Sequence, residues 1–338
     1  MPPTKEVGSK LTKIAVDAFG GDYAPEQIVD GALQAAASEG IDIILTGDER
    51  KLKPLLNGRA GREKIEIVHA PEVILMDESP VEAVRRKKNS SLAAAATLVK
   101  NGRAGALVSA GSTGATMAAA LFIIKRIKGI ERPAITSLMP TLKGTKLIVD
   151  VGANVDCRPK QLLQFAQMGS VYAEQVLKLH RPRVGLLNIG HEPGKGNQLA
   201  QEVFKLLKEA PLNFVGNIEG RDISRGDIDV VVCDGFVGNV VIKFAEGLAE
   251  ALFAMMKQEF TSNLPGKLGA LLLKPGLRRI KRQVDYTEYG GAPLLGVQGV
   301  VIIAHGGSNA KAVKNAIRAA QAGVAHGIVK IIGEQSGG

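Results

Sequence analysis

The sequence predicts a three-layer α/β/α fold built on a mostly parallel sheet. Strand-like runs rich in Val, Ile and Leu alternate with helical patterns along almost the whole chain, as repeated strand–helix units do. Five of these runs end in short loops rich in glycine and small polar residues. Because ligands of open α/β sheets bind beyond the carboxyl ends of the strands, we expect the five loops to share a cleft for an anion.

The apolar pattern gives the elements in order. Strands are predicted at 14–18, 41–45, 65–68, 106–110, 134–138, 147–151, 184–189, 214–218, 230–233 and 300–304, with a hairpin turn around Lys143-Gly144. Helices are predicted from Pro25, from Ser79-Pro80 and after Ser90-Ser91, and then over 115–125, 159–180, the stretch up to 210, 240–260 and 308–333. The helix from Pro159 is apolar on most faces, so we expect it to be buried.

Length and composition limit the class of protein. The 338 residues are enough for one large α/β unit or two lobes. We expect a flexible arm at 1–12, a catalytic unit at 13–333 and a tail at 334–338. The formal net charge of +10 favours an anionic substrate, partner or membrane surface. Aromatic residues make up only 4%, which argues against nucleic-acid binding by base stacking.

Cysteine usage and hydropathy indicate a cytoplasmic protein. Cys157 and Cys233 stand far apart with no metal-ligand spacing, which is typical of buried thiols in a reducing compartment. The first 13 residues lack the apolar region of a signal peptide. The longest apolar runs, such as 117–124, are too short to span a bilayer. The predicted location is therefore cytoplasmic or peripheral to a membrane.

The stretch 230–239 carries the strongest local pattern: a buried strand, the turn Asp234-Gly235, then Gly238-Asn239 and a long helix. A helix that begins just after a strand points unpaired N–H groups at an anion. The alternative is a plain turn in which Asp and Gly only shape the backbone. Comparable loops give the candidate phosphate- and substrate-binding residues, which are Ser109, Gly111, Ser112, Thr113, Gly114, Asn154, Gly235, Gly306, Gly307, Ser308 and Asn309.

Two nucleotide motifs are excluded. The loop 111–114 lacks the spacing of a dinucleotide fingerprint, and 194–197 lacks the Ser or Thr that follows the lysine of a P-loop. Lys195 nevertheless provides a cation in a loop that we expect to be mobile. Four aspartates at or near strand ends leave a Mg²⁺ site open as an alternative, namely Asp17, Asp22, Asp150 and Asp234.

A basic amphipathic hairpin is predicted at about 250–286. Pro275-Gly276 is expected to break it into two helices. The apolar residues on its two arms are Leu268, Leu271, Leu272, Leu277, Ile280 and Val284, and basic residues lie opposite. This pattern is typical of contact with an anionic membrane surface. Burial of the same leucines at a dimer contact is the alternative.

Six stretches in the order of the chain resemble the PlsX family, the phosphate acyltransferases of bacterial phospholipid synthesis. They are IAVDAFGGDYAP (14–25), LVSAGSTGA (107–115), DVGANVD (150–156), NIGHEPGKGN (188–197), CDGFVGN (233–239) and AHGGSN (304–309). The resemblance implies transfer of a fatty acyl group from acyl-[acyl carrier protein] to inorganic phosphate. It also implies a homodimer, membrane association, and delivery of the acyl phosphate to a membrane glycerol-3-phosphate acyltransferase.

The residues suit this chemistry without a metal or cofactor. Phosphate is already a nucleophile near neutral pH, so the protein must position it and stabilise the oxyanion. We expect Lys195, Asn239 and Asn309 to donate hydrogen bonds, and His305 or Asp234 to handle or orient a proton. The resemblance extends to phosphotransacetylases and isocitrate or isopropylmalate dehydrogenases. A Mg²⁺-dependent decarboxylating dehydrogenase and a non-enzymatic basic binding protein therefore remain as alternatives.

Overall fold

A computed structural model describes residues 13–284 and 288–336 of the chain. These residues form two compact units. Unit 1 comprises the described residues up to Lys125 together with Val297–Gly327, and unit 2 comprises Arg126–Gly296 and the residues from Ile328 onward. The predicted arm at 1–12 and the last two residues of the predicted tail lie outside the described residues.

The secondary structure alternates between strands and helices. The strands are β1 (Ile14–Asp17), β2 (Ile43–Gly47), β3 (Ile65–His69), β4 (Ala106–Ser109), β5 (Ala134–Thr141), β6 (Gly144–Val149), β7 (Val184–Leu187), β8 (Phe214–Ile218), β9 (Val230–Val232), β10 (Ala292–Leu295) and β11 (Val300–Ile303). The helices are α1 (Glu26–Glu39), α2 (Glu49–Leu56), α3 (Pro80–Arg86), α4 (Ser91–Lys100), α5 (Thr113–Ala119), α6 (Pro159–Gln175), α7 (Gln198–Glu209), α8 (Gly220–Arg225), α9 (Gly235–Thr261), α10 (Leu264–Val284), α11 (Ala310–Ala325) and α12 (Ile328–Gln335). A 3₁₀ turn at Arg62–Lys64 and a π-helical turn at Ala120–Ile124 complete the list.

Unit 1 is built on a parallel sheet in the order β3-β2-β1-β4-β11. Its inner strands are continuous apolar runs because both faces are covered; Ile14, Ala15 and Val16, for example, are buried. Helices α1 and α11 pack closely, since a side chain at Gly31 would collide with Val313. Because β1, β4 and β11 are neighbours and parallel, the loops that follow them emerge at one edge of the sheet.

Unit 2 has a mixed sheet in the order β10-β5-β6-β9-β7-β8. Strand β5 is antiparallel to β6 and β10, while β6, β9, β7 and β8 run parallel to one another. Helix α6 lies against the sheet at Gly169, where a side chain would meet Val149 and Val230. Its burial confirms the expectation from its apolar faces. The loops after β6, β9 and β7 leave one edge of this sheet.

The predicted fold class is confirmed, and the errors concern particular elements. Helices α2 and α8 and strand β10 were not predicted; α8 and β10 are short, and β10 contains Pro293. The predicted helix at 308–333 is two helices, because Gly327 adopts φ +62 between them. Helix α9 begins at Gly235, five residues earlier than expected, since Asp234 caps it.

The predicted break at Pro275-Gly276 is wrong. Helix α10 continues through Pro275 to Val284. Proline lacks the N–H that would bond the carbonyl of Leu271, and this loss is tolerated because residues 271–275 are exposed, so that water can bond that carbonyl instead. The side chains of residues 281, 282 and 284 lie outside the described residues, so the predicted position of Val284 in the apolar stripe is not described.

Candidate anion and acyl site

Asp17 holds two loops of unit 1 together. Its side chain is buried, with Oδ2 accepting a hydrogen bond from Ser109 Oγ at 2.8 Å and Oδ1 accepting one from Phe19 N at 3.3 Å. Ser109 Oγ in turn accepts from Gly111 N at 3.1 Å. A side chain at Gly20 would come within 2.6 Å of Asp17 Oδ2 and 2.7 Å of Gly111 N. The loops after β1 and β4 therefore depend on this carboxylate and on the small size of Gly20.

Burial raises the pKa of Asp17, and the hydrogen bonds that it accepts from Ser91 and Ser109 oppose the shift. The hydroxyl of Ser109 was predicted to contact the substrate, but its proton is donated to Asp17. Ser109 thus stabilises the loop through its bonds to Asp17 and Gly111. The backbone N–H groups that open helix α5 are the remaining candidates for contact with an anion at this point.

The loop between β4 and α5 presents the remaining candidates of this stretch. Ser112 caps α5, since its Oγ accepts a hydrogen bond from Ala115 N at 3.4 Å. Thr113 is exposed at the first helical position. Gly114 lies against Pro80, where a Cβ would be 2.8 Å from the proline ring. The glycines in this loop are therefore required for close packing, as well as for turning.

The loop 305–309 opens helix α11 beside the loop after β1. Gly307 N donates to His305 Nδ1 at 3.1 Å, and Ser308 Oγ donates to His305 O at 2.6 Å. Asn309 caps the helix through Oδ1, which accepts from Ala312 N at 3.0 Å. Gly306 O accepts a hydrogen bond from Asp22 N at 2.9 Å. The structure therefore brings all five predicted residues of this loop to one helix N-terminus, with His305 exposed and Ser308 buried.

Asp150 is the corresponding carboxylate of unit 2. It is fully buried and accepts five hydrogen bonds. Oδ1 accepts from the backbone N–H groups of Ile135, Gly152 and Ala153 at 3.1, 3.2 and 2.9 Å, and Oδ2 accepts from N and Nδ2 of Asn154, both at 2.8 Å. Burial raises its pKa, and these donors oppose the shift. Both oxygens are thus committed to shaping the loop after β6.

Asn154 links this loop to helix α9. Its Nδ2 also donates to Pro133 O at 2.8 Å, and its carbonyl oxygen accepts from Gly235 N at 2.7 Å. A side chain at Gly235 would approach that carbonyl to 2.8 Å, and one at Gly238 would collide with the carbonyl of Asp150. The two glycines of the 233–239 stretch therefore allow the first turn of α9 to lie directly on the loop after β6.

Asp234 caps helix α9. Its Oδ1 accepts a hydrogen bond from Val237 N at 2.8 Å, which is the turn-forming role considered as the alternative for this residue. Asn239 is exposed on the next turn, and a side chain at Gly152 would come within 3.9 Å of it. The side chains predicted from 233–239 thus belong to one surface of unit 2, at the helix N-terminus.

The loop 188–197, which the sequence predicts to be mobile, is held by hydrogen bonds of three side chains. Asn188 Nδ2 donates to Lys195 O at 3.0 Å, and Asn217 Nδ2 donates to Glu192 O at 2.8 Å. His191 Nε2 lies 2.7 Å from Asp222 Oδ2. The side chain of Lys195 is exposed, and none of the ion pairs among the described residues includes it. The sequence pattern singled out Lys195 but not the three side chains that hold its loop.

Helices α9 and α10 expose an unusually apolar surface, as sequence reasoning expected for the second of them. Along α9, exposed apolar side chains recur every four residues from Phe236 to Leu252, and only Gly235 and Gly238 are buried. On α10, Leu272 is 82% exposed and Leu277 is half-buried. The remaining predicted membrane-contact residues of α10 are also exposed, namely Leu268, Leu271 and Ile280.

The part of the chain that the structure describes contains neither a cluster of metal ligands nor a helix able to span a membrane. No group of three or more His, Cys, Asp and Glu side chains in 13–284 and 288–336 is placed to hold a metal ion. Across the helices described there, none combines the length and the apolar character needed to cross a membrane.

Comparison with known proteins identifies the family. A sequence model of the family described as "Fatty acid synthesis protein" matches residues 12–330. The chain belongs to this family. It is 56% identical over 325 residues to the phosphate acyltransferase of Moorella thermoacetica, a match covering 96% of each chain. It is 55% identical over 324 residues to that of Heliobacterium modesticaldum, covering 95% of this chain and 97% of the relative. These relatives confirm the PlsX resemblance and identify an acyltransferase.

Solved structures of the same fold are more distant in sequence. The EutD phosphotransacetylase from Staphylococcus aureus superposes with a TM-score of 0.62 at 23% identity, covering 92% of this chain and 94% of that chain. A phosphotransacetylase from Streptococcus pyogenes gives a TM-score of 0.61 at 21% identity with the same coverage. A 4-hydroxythreonine-4-phosphate dehydrogenase from Klebsiella pneumoniae gives 0.54 at 12% identity. These likenesses confirm the predicted fold class.

Proposed function

We propose that this phosphate acyltransferase moves a fatty acyl group from acyl-[acyl carrier protein] to inorganic phosphate, in the cytoplasm and at the membrane surface. A phosphate oxygen attacks the thioester carbonyl, the carbon–sulfur bond breaks, and the phosphate proton passes to the sulfur. The products are an acyl phosphate and the free carrier thiol. The observation that carries the proposal is the family membership over residues 12–330.

The loop geometry supports a positioning mechanism. Phosphate requires preorganised donors, and helices α9 and α11 each begin within a glycine-containing loop whose cap residue is fixed. Lys195 adds a cation that no described carboxylate neutralises. Asn309 uses its oxygen as a cap, so a contact with phosphate would come from Nδ2. His305 and Asp234 remain the proposed groups for orienting or handling a proton, and Asn239 the proposed further donor.

The test is a carrier-thiol release assay with and without phosphate, with hydroxylamine trapping of the acyl phosphate as the second readout. We expect thiol release to require phosphate and the trapped hydroxamate to match it in amount. Acyl-coenzyme A serves as the competing donor. Phosphate-independent release, or complete loss of activity in chelator with rescue by Mg²⁺, would contradict the proposal. The only support for the dehydrogenase alternative is the shared fold.

The carrier protein is proposed to dock on a basic surface, because carrier proteins of this class are acidic and the chain has a net charge of +10. At the end of α3, Arg86 and the following residue Lys87 pair with Glu78 at 3.2 and 2.5 Å, and Arg85 lies 5.0 Å from the centre of the Phe122 ring. On α10, Arg278 and Arg279 are exposed. Charge-led docking makes the carrier KM rise with salt in the same assay.

The apolar surface of α9 and α10 is proposed to serve a homodimer contact and attachment to an anionic membrane. Attachment would let the acyl phosphate reach a membrane glycerol-3-phosphate acyltransferase without exposing its chain to water. We expect Leu271→Glu combined with Leu272→Glu to detach the protein from anionic vesicles, since each leucine contributes about 1.5–3 kcal/mol when buried. A sizing column run in parallel separates the two roles: a lost dimer assigns these leucines to the subunit contact, and retained vesicle binding excludes them from the membrane.

A further inference from the structure

Unit 2 contains a cavity of about 390 Å³ over the carboxyl ends of the adjacent strands β7 and β9. It lies between the first turns of α7 and α9. Its walls are mainly apolar, with Leu162, Leu186, Leu199 and Val237 among them. Ligand cavities in proteins have volumes of about 300–1,000 Å³ and apolar walls with a few polar groups. By size and lining, this cavity is therefore suited to an apolar ligand.

We propose that the cavity binds the hydrocarbon chain of the acyl donor. This inference rests on the proposed function, because it assigns the apolar end of the same substrate. Asn197 and Asp234 stand at the edge of the cavity, and both belong to loops proposed to hold phosphate and the thioester. A chain bound here would place its carbonyl end next to those loops.

The polar residues at the edge do not make the cavity polar. Asn197 Oδ1 accepts from Ala200 N at 2.9 Å, and Asp234 Oδ1 accepts from Val237 N at 2.8 Å. Cys233 is buried, and its thiol donates to the carbonyl of Asp150 at 3.5 Å. Each of these three side chains already makes a hydrogen bond within the protein, and a hydrocarbon can fill the space without breaking those bonds.

The volume fits a medium or long chain. An apolar cavity of about 150 Å³ accommodates one benzene molecule, so 390 Å³ accommodates on the order of ten or more carbon atoms. A second cavity of about 390 Å³ in unit 2 is lined by Arg181, Glu174 and Asn213 among others. The lining of this second cavity is mostly polar, whereas that of the cavity between α7 and α9 is mostly apolar, so the cavity between α7 and α9 is the better site for the chain.

The test fills the cavity at Ala200, a small, half-buried residue of its lining. Carrier-linked four-carbon and sixteen-carbon donors are compared by kcat/KM. We expect Ala200→Phe to lower the ratio of long-chain to short-chain kcat/KM by at least tenfold. Each methylene that loses its place in the cavity changes that ratio by about fourfold, which corresponds to about 0.8 kcal/mol. An unchanged ratio in an active variant would overturn the proposal.

Gln198→Phe is the matched control, since it adds the same ring to an exposed position of α7 that does not line the cavity. The ratio of long-chain to short-chain kcat/KM of Gln198→Phe should equal that of the wild type. A binding measurement separates this inference from the proposed function. Dodecyl phosphate should raise the Tm of the wild type and of Gln198→Phe more than butyl phosphate does, and this difference should disappear in Ala200→Phe. Equal stabilisation of all three proteins by dodecyl phosphate overturns the cavity assignment, whereas absence of phosphate-dependent thiol release overturns only the function.

Discussion

Asp17 in unit 1 and Asp150 in unit 2 occupy comparable positions but are held very differently. Asp17 ends β1 and Asp150 directly follows β6; each side chain is almost inaccessible, and burial raises the pKa of each. Asp17 accepts hydrogen bonds from the hydroxyls of Ser91 and Ser109 and from the backbone N–H of Phe19. Asp150 accepts four backbone N–H groups and the side-chain amide of Asn154.

The difference shows how each glycine-rich loop is stabilised. In unit 1 several groups stabilise the loops together, because Ser109 Oγ also accepts a hydrogen bond from Gly111 N and the main chain at Gly20 packs against both loops. In unit 2 one carboxylate collects the donors of the whole turn from Gly152 to Asn154. A metal role for these aspartates, which the sequence left open, would compete with the hydrogen bonds that now shape the loops.

The largest expected effect comes from removing the two carboxylates in turn. Asp150→Ala leaves several buried N–H groups without an acceptor, at a cost of about 1–3 kcal/mol each. We expect it to lower the free energy of unfolding by about 3 kcal/mol or more, which corresponds to a drop in Tm of roughly 4 °C or more. Asp17→Ala should lower the free energy of unfolding by about half as much as Asp150→Ala does. Urea and thermal unfolding measure both.

Asp150→Asn and Asp17→Asn are the matched controls. Each keeps the shape of the side chain and one acceptor oxygen, so each should recover part of the stability lost in the alanine variant. Equal losses in the two alanine variants would show that the number of donors on each carboxylate does not set its contribution, and the contrast between the units would then fail.

A second, smaller effect compares the proposed phosphate donors of the two units. Asn309→Ala and Lys195→Ala should each raise the phosphate KM or lower kcat by about tenfold, because a hydrogen bond to a charged group contributes roughly 1.5–3 kcal/mol. Asn309→Ser retains a cap for α11 and Lys195→Arg retains the charge, so these controls separate anion binding from folding. Wild-type kinetics in a folded Asn309→Ala or Lys195→Ala variant would remove that residue from the site.

Sequence patterns predicted the features that local sequence determines, which are the strands, the helices and the turns. Apolar periodicity and glycine positions gave the alternating elements, the hairpin at Lys143-Gly144 and every loop at the sheet edges. These patterns failed for elements whose structure depends on tertiary contacts. The residues around Pro275 do not indicate that α10 continues through the proline. Strand β10 contains a proline and forms because it pairs with β5.

The loop chemistry was harder to predict because the partners are distant in sequence. Ser109 lies 92 positions from Asp17, so its hydroxyl could be recognised as a strand-end candidate but not as a donor to that carboxylate. Asn217 and Asp222 were missed for the same reason, since they brace the Lys195 loop from β8 and α8, elements that only the fold brings near. The sequence therefore located the candidate loops, and the structure assigns many of their side chains to supporting roles.

The smallest expected effect concerns the thiols, which only unit 2 contains. Burial, with further contributions from the carboxylates of Asp150 and Asp234, raises the pKa of Cys157 to about 12. Burial also raises the pKa of Cys233 well above its usual value. At pH 7.5 only about one Cys157 thiol in ten thousand or fewer is then ionised, and the thiolate is the reactive form. A cysteine nucleophile is not favoured by this environment.

We therefore expect Cys157→Ser to change phosphate-dependent acyl transfer by less than about threefold, since only weak hydrogen bonds of the thiol are altered, one donated to Asn154 O at 3.5 Å and one accepted from Gly235 N. Alkylation of the wild-type protein with iodoacetamide should be slow at pH 7.5 and should accelerate about tenfold for each unit that the pH rises, because the ionised fraction grows in that proportion below a pKa of about 12. The serine variant controls for reaction at other sites. Rapid, activity-destroying alkylation of Cys157 at neutral pH would show an activated thiolate beside Asp150, and the loop after β6 would then have a chemical role that the loops of unit 1 lack.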